Sequence, residues 1–236
     1  AVSDAGAQVI LRPEADTYIN SEEPGTAFGT NENLRVRSSS TIIRKPYMRF
    51  AIGSVLPAGE AFVSGELTLT MTENVPASEL LPDLSLTLWA IDDGAAGDGA
   101  GGWSEAMTWN TNDAPGDTDY AQNDGSQTGM AAGATALTTI DVSGGYTAGN
   151  ALSFDSSIIL SALQADTDGY ITFVLTYGEP GEGTSLKLAS DENTTYAGPE
   201  LELEAQPVPE PGTYALLAGL AVLGVAWMRR RGRARG

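Results

Sequence analysis

Basic side chains are concentrated in one short stretch of an otherwise acidic chain. The chain carries 12 Lys and Arg against 31 Asp and Glu. Residues 206–236 hold five arginines and one acid, so residues 1–205 keep seven basic and 30 acidic side chains, a net charge of −23. Five of the seven lie between positions 35 and 49: Arg35, Arg37, Arg44, Lys45 and Arg49. Because guanidinium groups pair bidentately with carboxylates, this stretch has the chemistry to bind a uronate or sulfated sugar.

The spacing of these residues suggests how two strands would present them. The period of two places Arg35 and Arg37 on one face of a strand, and Tyr47 and Arg49 on one face of the next. If the strands pair as a hairpin across residues 38–45, these four side chains share one solvent face, which we predict to be a ligand-binding site. The alternative interpretation is that the arginines only neutralise neighbouring acids of a strongly acidic domain.

A Gly- and Asp-rich loop offers oxygen ligands for a metal ion. Asp92, Asp93 and Asp98 lie in this segment, and carboxylates in flexible loops are ligands that Ca²⁺ prefers. The segment does not follow the EF-hand pattern, which needs a Glu at its twelfth position. Asp113 with Asp117 and Asp119, and Asp166 with Asp168, offer oxygen ligands in the same way. Of these sets, we choose Asp92, Asp93 and Asp98 as the predicted site of one structural Ca²⁺. The alternative is that they are solvated acidic turns.

The composition excludes several kinds of chemistry. The chain has no Cys and no His, which excludes disulfides, Ser-His and Cys-His nucleophile pairs and the usual zinc sites. A net charge of −23 argues against nucleic acid as a partner. Paired carboxylates that could hydrolyse a glycoside arise by chance among 30 acids. We therefore expect that the protein is not an enzyme.

Alternating apolar runs separated by Gly, Pro, Asn and Asp clusters predict the fold. Leu67, Leu69 and Met71 alternate with threonines, as in a strand with one buried face. Ten such strands between residues 8 and 204 indicate an all-β domain, a single antiparallel β-sandwich. One short helix is expected at Ser156–Gln164. Trp103 and Trp109 lie in a long loop, and we expect them to anchor it or to join the core.

The C-terminal segment combines three signals. Pro209-Glu210-Pro211 precedes a stretch from Thr213 to Met228 that contains no charge, and five arginines follow it, Arg229, Arg230 and Arg231 among them. We predict an apolar helix here, although sixteen residues rise only about 24 Å against a hydrocarbon core of roughly 30 Å. Arginines directly after an apolar helix stay on the cytoplasmic side. The helix would therefore hold a precursor in the membrane.

This tail resembles the PEP-CTERM sorting signal of Gram-negative bacteria. The resemblance implies that a membrane exosortase recognises the tail transiently and cleaves near Pro209-Glu210-Pro211. The protein would then be an inner-membrane-tethered precursor that later reaches the cell surface or the exterior. Because the chain begins Ala1-Val2-Ser3 without a signal peptide, we expect that an export signal has already been removed. We expect residues 1–205 to form one domain, 206–212 a Pro-rich linker, and 213–236 the sorting helix and basic tail.

Several short motifs follow one another along residues 8–204. They are Ala15-Asp16-Thr17-Tyr18, Phe28-Gly29-Thr30-Asn31, Leu34-Arg35-Val36-Arg37, residues 103–110 with their Trp-x-Glu-x-x-Thr-Trp-Asn pattern, and Pro199-Glu200-Leu201. The sequence resembles the DNRLRE domains, extracellular jelly-roll modules similar to carbohydrate-binding modules. The resemblance implies a jelly-roll fold and a non-catalytic role.

Together these observations predict an exported, exosortase-processed module that binds extracellular polysaccharide. The basic stretch favours an acidic glycan, and the tail resemblance implies an association with exopolysaccharide or a biofilm matrix. The alternative is a structural matrix or surface protein that self-associates without a specific glycan ligand.

Overall fold

A computed structural model of the chain describes residues 7–56, 59–92, 103–110, 123–154, 156–181 and 183–208. Asp93, Asp98, the helix predicted over 213–228 and the sorting-signal residues from Pro209 onward lie outside these ranges. Within them, no helix is long and apolar enough to cross a membrane.

The described residues include thirteen strands, one α-helix and one 3₁₀ turn, and Trp109 and Asn110 are also helical. The strands are β1 (Ala7–Leu11), β2 (Ala15–Asn20), β3 (Asn33–Ser38), β4 (Ile43–Ala51), β5 (Glu60–Thr70), β6 (Val75–Pro76), β7 (Ser85–Ile91), β8 (Ala134–Asp141), β9 (Gly145–Tyr146), β10 (Ala151–Phe154), β11 (Tyr170–Tyr177), β12 (Leu186–Ala189) and β13 (Glu200–Pro207). The 3₁₀ turn spans Ala77–Glu79, and the helix α1 spans Ser156–Ala165. Ten strands match the sequence expectation, and β6, β9 and β10 were not expected because they are only two to four residues long.

Two antiparallel sheets form the body of the domain. One sheet has the strand order β1-β13-β5-β10, and the other has the order β12-β3-β4-β11-β7-β8, with β2 also paired to β4. Strands β6 and β9 form a separate pair. All pairs among the described strands are antiparallel. The expected antiparallel β-sandwich with one short helix is confirmed.

The main core lies between the two sheets. Leu67 and Leu69 of β5 point into it from one sheet, and Met48, Phe50 and Phe173 from the other, all without solvent exposure. Burying such side chains is the main source of stability, roughly 1.5–3 kcal/mol each. The alternation read from the sequence therefore corresponds to the inward faces of the strands.

A second, smaller apolar cluster covers the opposite face of the larger sheet. Its buried members are Ala15, Ile19, Tyr47, Ile91, Trp103, Met107 and Val174, with Trp89, Trp109 and Met130 packed against them. Residues 103–110 and the region near Met130 thus lie over the outer face of β4 and β11. As a consequence, the middle of β4 is buried on both faces, which an alternating sequence pattern does not reveal.

Candidate functional site

Two of the predicted ligand residues share one face of β3. Arg35 and Arg37 are half-buried, whereas Leu34 and Val36 between and beside them point into the core. Strand β3 pairs with β4 only at its end, where Arg37 lies directly opposite Arg44. The hairpin that we expected therefore forms, but it brings a different residue of β4 next to the arginines.

Arg44 completes a group of three guanidinium groups. Burial lowers the pKa of Arg44, and the positive charges of Arg35 and Arg37 lower it further. The Nε atom of each of the three arginines is buried and has no hydrogen-bond partner. We call Arg35, Arg37 and Arg44 the basic face. Its third member could have been found from the sequence only by knowing the register of the hairpin.

An aromatic pair packs against one arginine of the basic face. The ring of Tyr18 on β2 stacks on Phe28, with ring centroids 4.3 Å apart. The guanidinium carbon of Arg35 lies 5.7 Å from the centroid of the Tyr18 ring, within the range of a cation–π interaction. Because Tyr18 is almost fully buried, it orients Arg35 and is not a platform for a sugar ring.

Tyr47 and Arg49 do not lie on a solvent face, in contrast to the sequence expectation. Tyr47 is fully buried and makes an edge-on contact with Trp103, at a centroid distance of 6.1 Å. Arg49 is also buried, paired with Glu14 at 2.7 Å and donating to the backbone oxygen of Trp103 at 2.8 Å. The reason is the second apolar cluster, which places residues 103–110 over this face of β4. Both side chains are therefore part of the packing of that segment.

Lys45 has a similar structural role at the other end of β4. Its side chain is fully buried, and its Nζ donates to Asn123 Oδ1 at 2.7 Å, to the Gly129 carbonyl at 2.7 Å and to Asp124 Oδ1 at 3.2 Å. A buried ammonium group needs such partners, because desolvation of an unpaired charge is very costly. Lys45 thus fastens residues 123–129 to the sheet.

Comparison with known families decides the broad class of the domain. A family model described as carbohydrate-binding module family 96 matches residues 7–205. The chain belongs to carbohydrate-binding module family 96. A model described as the PEP-CTERM protein-sorting motif matches residues 207–231. No curated protein matches the chain.

These matches confirm the expectation of an exported carbohydrate-binding protein with a sorting signal at its C-terminus. Carbohydrate is therefore the partner class of this family 96 module, and the sorting motif implies processing by an exosortase. A carbohydrate-binding module is a non-catalytic domain, which agrees with the expectation of no enzymatic activity. The family model that matches residues 7–205 is described as a carbohydrate-binding module. The DNRLRE name suggested by the sequence resemblance is not part of that description.

The predicted calcium loop of the module is described only at its first residue. Asp92 accepts a hydrogen bond from Thr135 Oγ1, whereas Asp93 and Asp98 lie outside the described residues. In the part of the chain that the structure describes, no three Asp or Glu side chains already stand in metal-ligand spacing. A calcium site at Asp92, Asp93 and Asp98 stays a prediction.

One cavity of the module, of about 190 Å³, lies beside α1 and is separate from the basic face. Its walls include Ile91, Leu137, Ala162 and Ile171, with the carboxyl groups of Asp92 and Asp166 among them. None of its lining residues is basic. It therefore lacks groups that would attract an acidic sugar.

Proposed function

We propose that this family 96 module binds an acidic extracellular polysaccharide through the basic face, without catalysing a reaction. The observation that carries the proposal is the juxtaposition of three guanidinium groups whose Nε donors have no partner. Like charges held side by side repel one another, and each buried donor without a partner costs free energy. A carboxylate or sulfate of the ligand would remove both costs, since Arg binds such groups bidentately.

The ion pairs of the domain argue against a role in charge balance alone. Arg12 pairs with Glu200, Arg49 with Glu14, and Lys187 with Glu73. Arg35 and Arg37, in contrast, form no ion pair with any acid in the described ranges, although the domain has 30 acids to offer.

Arg44 is paired only loosely. It reaches Glu22 at 3.3 Å, and half of the Glu22 side chain is exposed to solvent. Because its acidic partner is half exposed to solvent, this ion pair contributes little, about 1 kcal/mol or less, so a ligand carboxylate could replace Glu22 at little cost. Arginines that serve to neutralise neighbours would be expected to have closer acidic partners than these three have.

We propose that the C-terminal tail directs this binding domain to the outside of the cell. We propose that residues 1–205 form the binding domain, 206–212 a linker, and 213–236 a transient membrane anchor that the exosortase removes near Pro209-Glu210-Pro211, with Arg229, Arg230 and Arg231 kept on the cytoplasmic side. The released domain would then attach to polysaccharide at the cell surface or in a biofilm matrix. The PEP-CTERM match supports this order of events.

Affinity electrophoresis tests the proposal. The full chain in non-ionic detergent is run in native gels that contain alginate, a sulfated glycan or a neutral glucan. We expect retardation in the two anionic gels and none in the neutral gel. The double variant R35A/R37A should lose the retardation. The control Arg12→Ala should keep it, because Arg12 follows β1 and pairs with Glu200, away from the basic face.

Two results would count against the proposal. Migration that no glycan alters would reject polysaccharide binding, and if the protein then sediments as multimers, a self-associating structural protein would be the better interpretation. Retardation that R35A/R37A leaves unchanged would assign those arginines to charge balance and place the glycan elsewhere on the module.

A further inference from the structure

The most deeply buried carboxylate of the described chain has an oxygen without a partner. Asp16 on β2 is 1% exposed. Its Oδ2 accepts a hydrogen bond of 2.8 Å from the backbone N–H of Asp191. Its Oδ1 is buried and accepts none. An ionised carboxylate in this position would be costly without a positive partner.

The groups around Asp16 are negative. Burial raises the pKa of Asp16 to about 8, and the charges of Glu192, Asp191 and Glu105 add to this shift, against the opposing effect of the Asp191 N–H. Burial likewise raises the pKa of Glu105, and Glu192 and Asp191 raise it further. No ion pair within the described ranges joins a Lys or Arg to any of these four acids.

Two further oxygens without partners flank the residue that anchors Asp16. Asp191 lies between Ser190 and Glu192 in the sequence. The Ser190 Oγ and the Glu192 Oε2 are both buried and have no hydrogen-bond partner. Residues 190–192 thus bind Asp16 through the backbone N–H of Asp191. The residues before and after Asp191 each have a side-chain oxygen without a hydrogen-bond partner.

Backbone contacts hold the surrounding segments together. The carbonyl oxygen of Glu32 accepts hydrogen bonds from the Ser190 N–H at 3.3 Å and from Asn193 Nδ2 at 2.8 Å. Glu32 belongs to the loop between β2 and β3. This loop also contacts residues 103–110, because the backbone of Gly29 packs directly on Glu105. The loop between β2 and β3 therefore contacts both residues 103–110 and residues 190–193. Residues 190–193 in turn hold Asp16 through the N–H of Asp191.

We infer that Asp16 is the centre of a Ca²⁺ site, with Asp16 Oδ1, Ser190 Oγ and Glu192 Oε2 as its inner ligands. Ca²⁺ accepts six to eight oxygens in flexible geometry, drawn from carboxylates, hydroxyls, carbonyls and water. Three acidic side chains do not stand in ligand spacing as the chain is, so Glu105 and Asp191 complete the shell by rotating toward the ion. Both have the freedom to do so, because Glu105 is half-buried and Asp191 is exposed.

The ion would supply the charge that the cluster lacks, and it would tie β2, residues 103–110 and residues 190–193 into one unit. This location differs from the loop at Asp92, where the sequence alone suggested calcium. The inference is independent of the proposed glycan site, because none of its residues belongs to the basic face.

Calorimetric titration of the full chain in non-ionic detergent, freed of metal with a chelator, tests the inference. We expect one Ca²⁺ to bind at this site with a Kd of about 10⁻⁴ M or tighter, in or below the range of extracellular modules. At a hundredfold excess over Kd, the melting temperature should rise by about 5–10 °C. Mg²⁺ should produce a much smaller rise, because it demands a strict octahedral shell.

Matched variants locate the site. Asp16→Asn should weaken Ca²⁺ binding at least a hundredfold and should abolish the melting shift, since it removes the central charge with little change in shape. Glu66→Gln, which removes an exposed charge on β5, and Asp92→Asn should both bind as the wild type does. If Asp16→Asn does not fold, Glu192→Gln takes its place, with an expected weakening of at least tenfold.

The inference is wrong if the wild type shows no Ca²⁺ response. It is equally wrong if Asp16→Asn or Glu192→Gln binds with the wild-type Kd, or if Asp92→Asn is the variant that loses binding.

Discussion

Arg49 and Trp103 are joined twice. The Nη1 of Arg49 donates a 2.8 Å hydrogen bond to the backbone oxygen of Trp103, and the guanidinium carbon lies 5.2 Å from the centroid of its ring. Through this contact a strand in the middle of the larger sheet holds a segment more than fifty residues away in the sequence. The contact indicates that Arg49 stabilises the fold, and the size of this contribution can be measured.

Arg49→Ala should lower the free energy of unfolding by about 2–3 kcal/mol, somewhat less than for a fully buried pair because Glu14 is partly exposed. Urea denaturation measures the loss. Arg12→Ala is the control, since Arg12 pairs with Glu200 at the surface, and its removal should cost less than about 1 kcal/mol. Equal losses in the two variants would contradict a structural role for Arg49.

Lys45 provides a second test of how the segment after residue 122 is held. Lys45→Met keeps the size of the side chain but removes the charged donor that Asn123 Oδ1 and the Gly129 carbonyl share. We expect a loss of about 2–4 kcal/mol. We also expect faster hydrogen exchange at Gly125 and Ser126, whose N–H groups bond to the side chains of Asn123 and Asp124.

Hydrogen-exchange mass spectrometry of the peptides that cover residues 123–130 measures this effect. The control is Lys187→Met, because Lys187 is about one-third exposed and pairs with Glu73 in another region. If both variants protect residues 123–130 equally well, Lys45 does not fasten this segment.

The strands of the sandwich could be predicted because each inward face follows a local rule. Leu67, Leu69 and Met71 alternate with threonines, and all three are fully buried. The exposure of β4 could not be predicted in the same way. Tyr47 and Arg49 alternate with Met48 and Phe50 as in a strand with one wet face, yet the face is covered by residues 103–110. Strand periodicity contains no information about a cover that comes from elsewhere in the chain.

The basic face and the site at Asp16 likewise could be predicted from the sequence only in part. Arg35 and Arg37 could be placed on one face of β3 because their spacing alone decides it, whereas the part of Arg44 depends on the register of β3 with β4. Asp16 belongs to the sequence motif Ala15-Asp16-Thr17-Tyr18, but nothing in that motif marks it as a ligand, since a lone acid in a strand resembles any polar position. Only the fold brings it to the Asp191 N–H, 175 residues further along.

Arg44 supplies a prediction that separates the basic face from the set of residues suggested by sequence alone. Arg44→Ala should weaken binding to an anionic glycan about tenfold or more, because charge-assisted hydrogen bonds are worth roughly 1.5–3 kcal/mol. Stability should change little, since the loose pair with Glu22 is lost together with the repulsion from Arg35 and Arg37. Titration calorimetry with alginate oligomers measures the affinity.

The affinity of the wild type for the same oligomers should fall steeply between low salt and 0.5 M salt, because the screening length is only about 8 Å at physiological ionic strength. An affinity that neither Arg44→Ala nor salt alters would mean that the basic face does not carry the interaction.

Gly29 tests whether the loops around Asp16 need their close contact. A methyl group at this buried position would lie 2.5 Å from the carbonyl oxygen of Glu105 and would overlap its Cβ. Gly29→Ala should therefore push residues 103–110 away from the loop between β2 and β3, at a cost of about 1–3 kcal/mol. Gly144→Ala is the matched control, because a methyl group there has no neighbour within 4 Å, and its effect should stay within about 0.5 kcal/mol.

Urea denaturation of both variants in chelator gives the steric cost alone, and repeating it with Ca²⁺ shows whether the displaced Glu105 matters to the ion. We expect Ca²⁺ to stabilise Gly29→Ala less than the wild type, because the shell around Asp16 loses one of its carboxylates. If Gly29→Ala is as stable as Gly144→Ala in chelator, the Gly29–Glu105 contact does not position this loop. If it is destabilised but gains as much from Ca²⁺ as the wild type does, Glu105 is not among the ligands.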